Sequence, residues 1–571
     1  MKNSQRNLPL WIIILILGLV VQYTNAQVPE WIWATGAGTG NNGNYLGEIS
    51  HGITNDNNGN LYVTGSMRSP VVKIGKDTLK NAAKPSFYLK PDMFIAKYDE
   101  YGKALWAKSV GDTGSELGNS IVTDKNGSVY VTGSFDSPFI SFGTITLKNS
   151  TPGSADIFVV KYNFNGNALW AKSFGGGGQD AGNAIGIDTD GNIIVAGYLS
   201  SSPLLFGADT VYTAGYKAVL LMKYDNNGNE KWARSVGGVS QYFGNFANSL
   251  AIDSMNNIYI AGAFADSVLN FQKDTILNRG HIDLFLAKYD DNGIVQWARS
   301  AGNKYYDEAL RLAADRKGNI FMTGAFFSPS ITFGAVTLTN TELDPDGTKF
   351  DDMFIVKYDT GGNALWGKTG IGQGYEVGNS IAVDYDGSAY ITGLFWGANI
   401  AFGNTILKNS RTGYNETFVV KYDKNGNEDW AKSAGGSEND QGNSITVANN
   451  GDIFITGGCN SGIAFGKVVW ASTGFYIAKL SNTPNSVLTE FSDSDRFDIF
   501  PNPTNGNIFV TGLDSDNWSI TIYSLDGESI FQSQINISQP VIDLIGKPKG
   551  TYVFTLEKGN EILKTGKFII E

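Results

Sequence analysis

The chemistry available to this chain is narrow, because 571 residues include only two histidines, His51 and His281, and one cysteine, Cys459. Two imidazoles cannot build a histidine-rich metal centre, and a serine–histidine–acid triad would have to form around one of them. A nucleophilic thiolate needs a neighbouring base. Cys459 instead follows the strand-like run Ile453–Gly458, where an unpaired thiol is expected as a small buried hydrophobe. Recurring acidic loops such as Asp384-Tyr385-Asp386-Gly387 raise calcium, but that ion wants six to eight oxygen ligands and the loop supplies two carboxylates. No catalytic, cofactor or metal residue is assigned; calcium held through backbone carbonyls is the alternative.

Aromatic residues offer binding chemistry, since a ring face suits the apolar face of a sugar. A tryptophan returns at Trp33, Trp106, Trp170, Trp232, Trp297, Trp366 and Trp430. A residue repeated at one strand position is expected to pack between structural units. The irregular aromatics Tyr242-Phe243, Tyr305-Tyr306 and Phe395-Trp396 are the better ligand surface, because repeat proteins place function in their variable loops.

The elements that must position these groups are short strands. Seventy glycines, 26 tyrosines and 15 prolines, with only 17% charged residues, suit an all-β chain rich in tight turns. The formal charge is −12 and no basic run of five residues occurs, which disfavours nucleic acid as a partner. Lys2 and Arg6 precede an apolar run from Leu8 to Val21, closed by Thr24-Asn25-Ala26 before Gln27. This is the layout of a signal peptide over residues 1–26, cleaved between Ala26 and Gln27. The run is shorter than a membrane span and no later stretch approaches one, so no transmembrane segment is expected after cleavage.

Three markers repeat sevenfold. The tryptophans sit in LWAKS-like segments, a glycine at Gly65, Gly133, Gly197, Gly262, Gly324, Gly393 and Gly457 ends NIYVTG-like segments, and Lys97, Lys161, Lys223, Lys288, Lys357, Lys421 and Lys479 mark FIAKYD-like segments. Within one unit the order is a GNSIVTD strand, a turn, a VYVTGSF strand, a variable excursion holding a pair such as Phe142-Gly143, a DIFVVKY strand, a turn and the LWAKS strand. Period-two alternation in Phe94–Asp99 predicts one buried and one mixed face. Four strands per unit make a propeller blade, and residues 27–480 are expected to form a seven-bladed β-propeller. The turns, such as Asp188 to Asn192, read as loops in which aspartate bonds to the backbone and glycine turns left-handed; Asn256 replaces that glycine once. His51 falls where other units carry Asn119, Asn183, Asn248, Asn379 and Asn443, so it reads as a structural polar position. Trp33 supplies a lone LWAKS-type strand before the first unit, and the last unit lacks one. Docking the first beside Phe475–Leu480 would close the ring.

The segments GNSIAVD (378–384), AYITG (389–393), TFVVKYD (417–423) and DWAKSAGG (429–436) resemble the SBBP-type propeller repeats of exported bacterial proteins, over about residues 31–480. That resemblance implies architecture and a surface or secreted module, with no shared catalytic residues. Likeness to the tryptophan-docking repeats of quinoprotein dehydrogenases, or to the aspartate boxes of sialidases, fails on repeat length and on the spacing between Asp and Gly.

Residues 481–495 break the rhythm and read as a linker. Alternating strands in 496–571 predict a small Ig-like antiparallel sandwich. Pro501-Asn502-Pro503 with Gly506, Tyr523 to Gly527, Gly550-Thr551-Tyr552 and the closing Lys567-Phe568-Ile569-Ile570 resemble the type A sorting domain of the type IX secretion system of Bacteroidota. The resemblance implies the secretion machinery as partner and the outer surface of a Gram-negative cell, or the medium, as destination. The whole reads as a monomeric, non-enzymatic binding scaffold for an extracellular glycan or protein. An extracellular polymer-degrading enzyme using acids from different blades, and a cell-surface adhesin, are the alternatives.

Overall fold

The computed structural model describes residues 28–38, 47–83, 90–213, 215–237, 244–340 and 350–481, and, towards the C-terminus, 498–500, 504, 507–511, 518–524, 529–535, 541–558 and 561–570. Two compact units divide near Pro484. The expected signal segment, with Ala26 and Gln27, lies outside the described residues, as does most of the linker.

Among the described residues of the first unit, seven sheets share a four-strand antiparallel plan. In one, the strands Glu116–Thr123, Val129–Phe135, Asp156–Tyr162 and Ala168–Phe174 lie side by side in chain order. The excursion between second and third strands is a short hairpin, here Phe139–Phe142 with Ile145–Lys148, turned at Gly143 with φ 66°. In the last sheet Glu30–Ala37 pairs with Gly474–Ser481, placing Trp33 opposite Lys479, so the first described strand completes the final sheet. Every third strand whose side chains are described is buried or nearly so along its length, as in Asp92–Tyr98, where sequence alternation predicts one mixed face. The reason is that sheets stack on both sides of each other. Tyr130, Ile157 and Val159 of one sheet pack with Ile185, Ile193 and Val195 of the next, and each such side chain withdrawn from water is worth roughly 1.5–3 kcal/mol.

The tryptophans lock these layers. The Trp170 indole N–H donates to the Asn226 carbonyl in the next sheet's turn at 3.1 Å, and Gly228, at φ 80°, lies flat under the ring where a Cβ would come within 2.9 Å. Trp106, Trp232, Trp297 and Trp366 repeat the bond, and Trp33 covers Gly102 in the same way, across the ring closure.

Each innermost strand carries a bulge, at His51, Asn119, Asn183, Asn248, Leu310, Asn379 and Asn443. The bulge aims a side chain at the neighbouring sheet. The Asn119, Asn183, Asn248 and Asn379 amides donate to the carbonyls of Gly182, Ala247, Ala309 and Gly442, and Asn443 donates to Ser50 O across the closure. His51 Nδ1 sits 3.1 Å from Gly118 O in the same role.

The described residues of the C-terminal unit form two sheets. One contains Asp498–Phe500, Asn507–Thr511 and Val541–Asp543; the other contains Trp518–Tyr523, Ser529–Ile535, Gly550–Lys558 and Glu561–Ile570. Ile508 and Ile542 of the first share a core with Trp518, Ile520 and Phe554 of the second.

Candidate binding surface

The ring has two unlike ends. At the turn end, most hairpin turns joining first to second and third to fourth strands are saturated by an aspartate at their first position, Asn163 and Ala448 standing there in two of them. Asp253 Oδ1 accepts the backbone N–H groups of Met255 and Asn257 at 2.9 Å, and its Oδ2 accepts from the Asn257 amide and the Tyr259 hydroxyl. Asn256 stands at φ 62°, the left-handed position glycine fills elsewhere. In Asp384, Oδ1 accepts from Asp386 and Ser388 N–H, and Oδ2 from Tyr390. These oxygens are engaged in holding turns.

At the loop end, the excursions and the links to the next sheet meet. Asp307, at the mouth of an innermost strand, accepts from Ser328 N–H and hydroxyl and from Asn303 N–H, which fixes the loop bearing Tyr305 and Tyr306. Tyr306 is 46% exposed and stacks on His281 at 5.5 Å, while Tyr305 meets Phe327 edge-on and carries Lys304 over its face. One junction further round, Phe350, Tyr375 and Trp396 form a trio with centroid separations of 4.8 to 6.4 Å. Tyr375 is 44% and Trp396 37% exposed. Lys217 lies over Tyr198 at 3.8 Å in the sheet preceding that of His281, and Arg411 over Tyr414 at 4.9 Å in the loop that leads into Glu416–Tyr422. An acid accompanies the rings: burial, with the nearby Asp307 and Glu308 carboxylates, pushes Asp351 up to about 6.

Of the aromatics expected from sequence, Tyr305, Tyr306 and Trp396 therefore lie on one surface, and Tyr242 and Phe243 lie outside the described residues. Phe395 is a correction. It is the last residue of Ala389–Phe395, paired between Glu376 and Glu416 and 0% exposed in a core with Ile400 and Phe402, so it cannot touch a ligand. Period two sends Phe395 inward and releases Trp396. Tyr375, Phe350, Phe327 and His281 were missed as members. Tyr375 carried a signal, because it directly precedes Glu376 as Tyr306 precedes Asp307.

Cys459 is fully buried with its Sγ 3.2 Å from Ser472 O, and burial, then the Asp440 carboxylate, pushes its thiol up to about 12, far from the thiolate a nucleophile needs.

In the C-terminal unit, the Tyr552 hydroxyl donates to Pro548 O at 2.7 Å and closes the turn before its strand. Gly550 pairs with Ile570, Tyr523 with Val553, and Val553 with Lys567, which gathers the described motif positions into one sheet. Pro501, Asn502, Pro503, Gly506 and Gly527 lie outside the described residues.

Among curated proteins, an uncharacterized WD repeat-containing protein, L264, of Acanthamoeba polyphaga mimivirus is 26% identical over 435 residues, covering 65% of this chain and 31% of its own. The regulatory protein FlaEY of Caulobacter vibrioides is 25% identical over 249 residues, covering 41% and 26%. The chain thus spans about a third or less of either relative's length. Solved structures similar to it include the Neurospora crassa Pan2 WD40 domain (9% identity, TM-score 0.42, covering 81% of this chain and 98% of that one) and the WD40 propeller domain of Doa1 (12%, 0.37, 79% and 98%). Residues 498–571 match the family of secretion system C-terminal sorting domains. That domain is read by the type IX secretion machinery and directs the chain to the cell surface or the extracellular space.

Proposed function

We propose that this chain is a secreted or surface-displayed binding protein: a seven-bladed β-propeller of SBBP type, carried by an Ig-like sorting domain, that presents the aromatic loop end of the ring to an extracellular glycan. The observation that carries the reading is the pair of exposed aromatic clusters, His281 with Tyr306 and Phe350 with Tyr375 and Trp396, set at consecutive junctions between sheets. Rings held rigidly by their neighbours lose little entropy on contact and match sugar faces. The sorting match at 498–571 supports an extracellular partner.

Affinity electrophoresis of the full chain through gels cast with different polysaccharides tests it. Retardation in at least one gel without release of reducing ends is the expected result; migration unchanged in every gel counts against a glycan. One observation favours a second reading, hydrolysis. Asp351, held near 6 beside Phe350 and close to Asp307 and Glu308, has the protonation behaviour of a general acid. Release of reducing ends abolished by Asp351→Asn would establish it.

A further inference from the structure

The residue after each inner-strand bulge faces the centre of the ring, and serine holds that place at Ser120, Ser249, Ser380 and Ser444. Each hydroxyl accepts an N–H from the next sheet, of Ile185, Leu312, Ile445 and Ile53 respectively, leaving its own proton to donate. In the fifth sheet the Asn-Ser pair becomes Leu310-Arg311. Arg311 lines a cavity of about 180 Å³ at the ring centre together with Gly52, Ser120, Ala184, Ser249 and Ser444.

Arg311 is the charged residue of that cavity, and its position needs an explanation. One of its five N–H donors reaches Asn248 O at 3.1 Å. Among the described residues, the arginine–carboxylate pairs are Arg234–Asp209 and Arg299–Asp274, and neither involves the channel. Glu308, three residues earlier on the same strand, accepts from the Asn248 amide at 2.7 Å instead. A half-buried guanidinium without a carboxylate partner carries a desolvation cost, whereas serine would fit the site as it does in four other sheets. His51 does not add to the charge: burial lowers it to about 4, against its bond to Gly118, and the Arg311 cation lowers it further, so the imidazole is neutral near pH 7. Small side chains at Gly52 and Ala184 leave room in front of one fixed cation ringed by hydroxyl donors.

We infer that the centre of the ring is a binding site for a compact oxyanion, inorganic or the carboxylate of a small organic acid, held on the Arg311 guanidinium and the surrounding serine hydroxyls. The site is separate from the aromatic loop end and does not depend on its function. A planar fork of N–H donors fits two oxygens of such an anion at once.

Calorimetry of the full chain with sulfate, phosphate and acetate, at fixed ionic strength, gives the affinities of the two oxyanion sources. Arg311→Ser, which installs the residue other sheets use, should weaken whichever anion binds by about tenfold or more, and Arg311→Lys should weaken it less. Unchanged affinity in Arg311→Ser would overturn the site. Should the variants fail to fold, crystals of the unaltered protein grown in selenate decide: an anomalous peak beside Arg311 is expected, and its absence there overturns the inference.

Discussion

The two ends of the ring use aspartate and glutamate in opposite ways. At the turn end burial would raise Asp188, but bonds from Lys223 and Asn192 outweigh it and hold the carboxyl below its ordinary value; Asp225, Asp359 and Asp423 are likewise lowered by the amides and N–H groups of their turns. At the loop end burial wins. It pushes Asp92, Asp283 and Asp351 up to about 6, Glu116 to about 7 and Asp440 to about 8. The turn end is saturated and regular, as structure alone requires. The loop end keeps poorly compensated acids and exposed rings, features that cost stability and are expected where a surface is used.

The largest way to test that division is to remove a lock between sheets. Trp232→Ala strips a buried indole from Gly293 and the Asp291 carbonyl, and should cost about 3–5 kcal/mol by denaturant unfolding. A loss below 1 kcal/mol would mean the tryptophans do not hold the layers. Next, Asp253→Ala at the turn end leaves four donors without their acceptor and should cost about 2 kcal/mol.

The third effect is pH. The raised carboxyls of the loop end hold protons in the folded chain that the unfolded chain releases above about pH 4, so stability should rise as pH falls from 8 to 5. His51 works against this below about 6.5, but it is one group against five. Below about 4 the lowered turn-end carboxylates are protonated and their contribution is lost. A thermal midpoint that fell steadily from pH 8 to 5 would contradict the assignment of the loop-end acids.

Much of the ring was legible because its causes are local and repeated. The Asp-to-Gly turns, the tryptophan spacing and the stray first strand each follow from backbone geometry, and Trp33 paired with Lys479 is what an unpaired edge requires. The equivalence of His51 with the bulge asparagines was legible for the same reason. What escaped depends on neighbours distant in sequence. Third strands are buried on both faces because sheets stack, which alternation within one strand cannot report. The trio Phe350, Tyr375 and Trp396 comes from three separate loops of two sheets. Arg311 is visible as a departure from serine only once the bulges fix which residues face the centre.

The smallest expected effect on stability is also the most direct test of the central claim, that ligands meet the loop end. The triple variant Tyr306→Ala, Tyr375→Ala, Trp396→Ala should unfold within about 0.5 kcal/mol per site of the parent, because these rings are surface residues. Tyr385→Ala, at the turn end, removes a ring that is 72% exposed and stacked 3.7 Å from the Arg316 guanidinium. In gels containing a polysaccharide that retards the parent, the triple variant should migrate freely and Tyr385→Ala should be retarded as the parent is. Retention of binding by the triple variant, or its loss in Tyr385→Ala, would contradict the account.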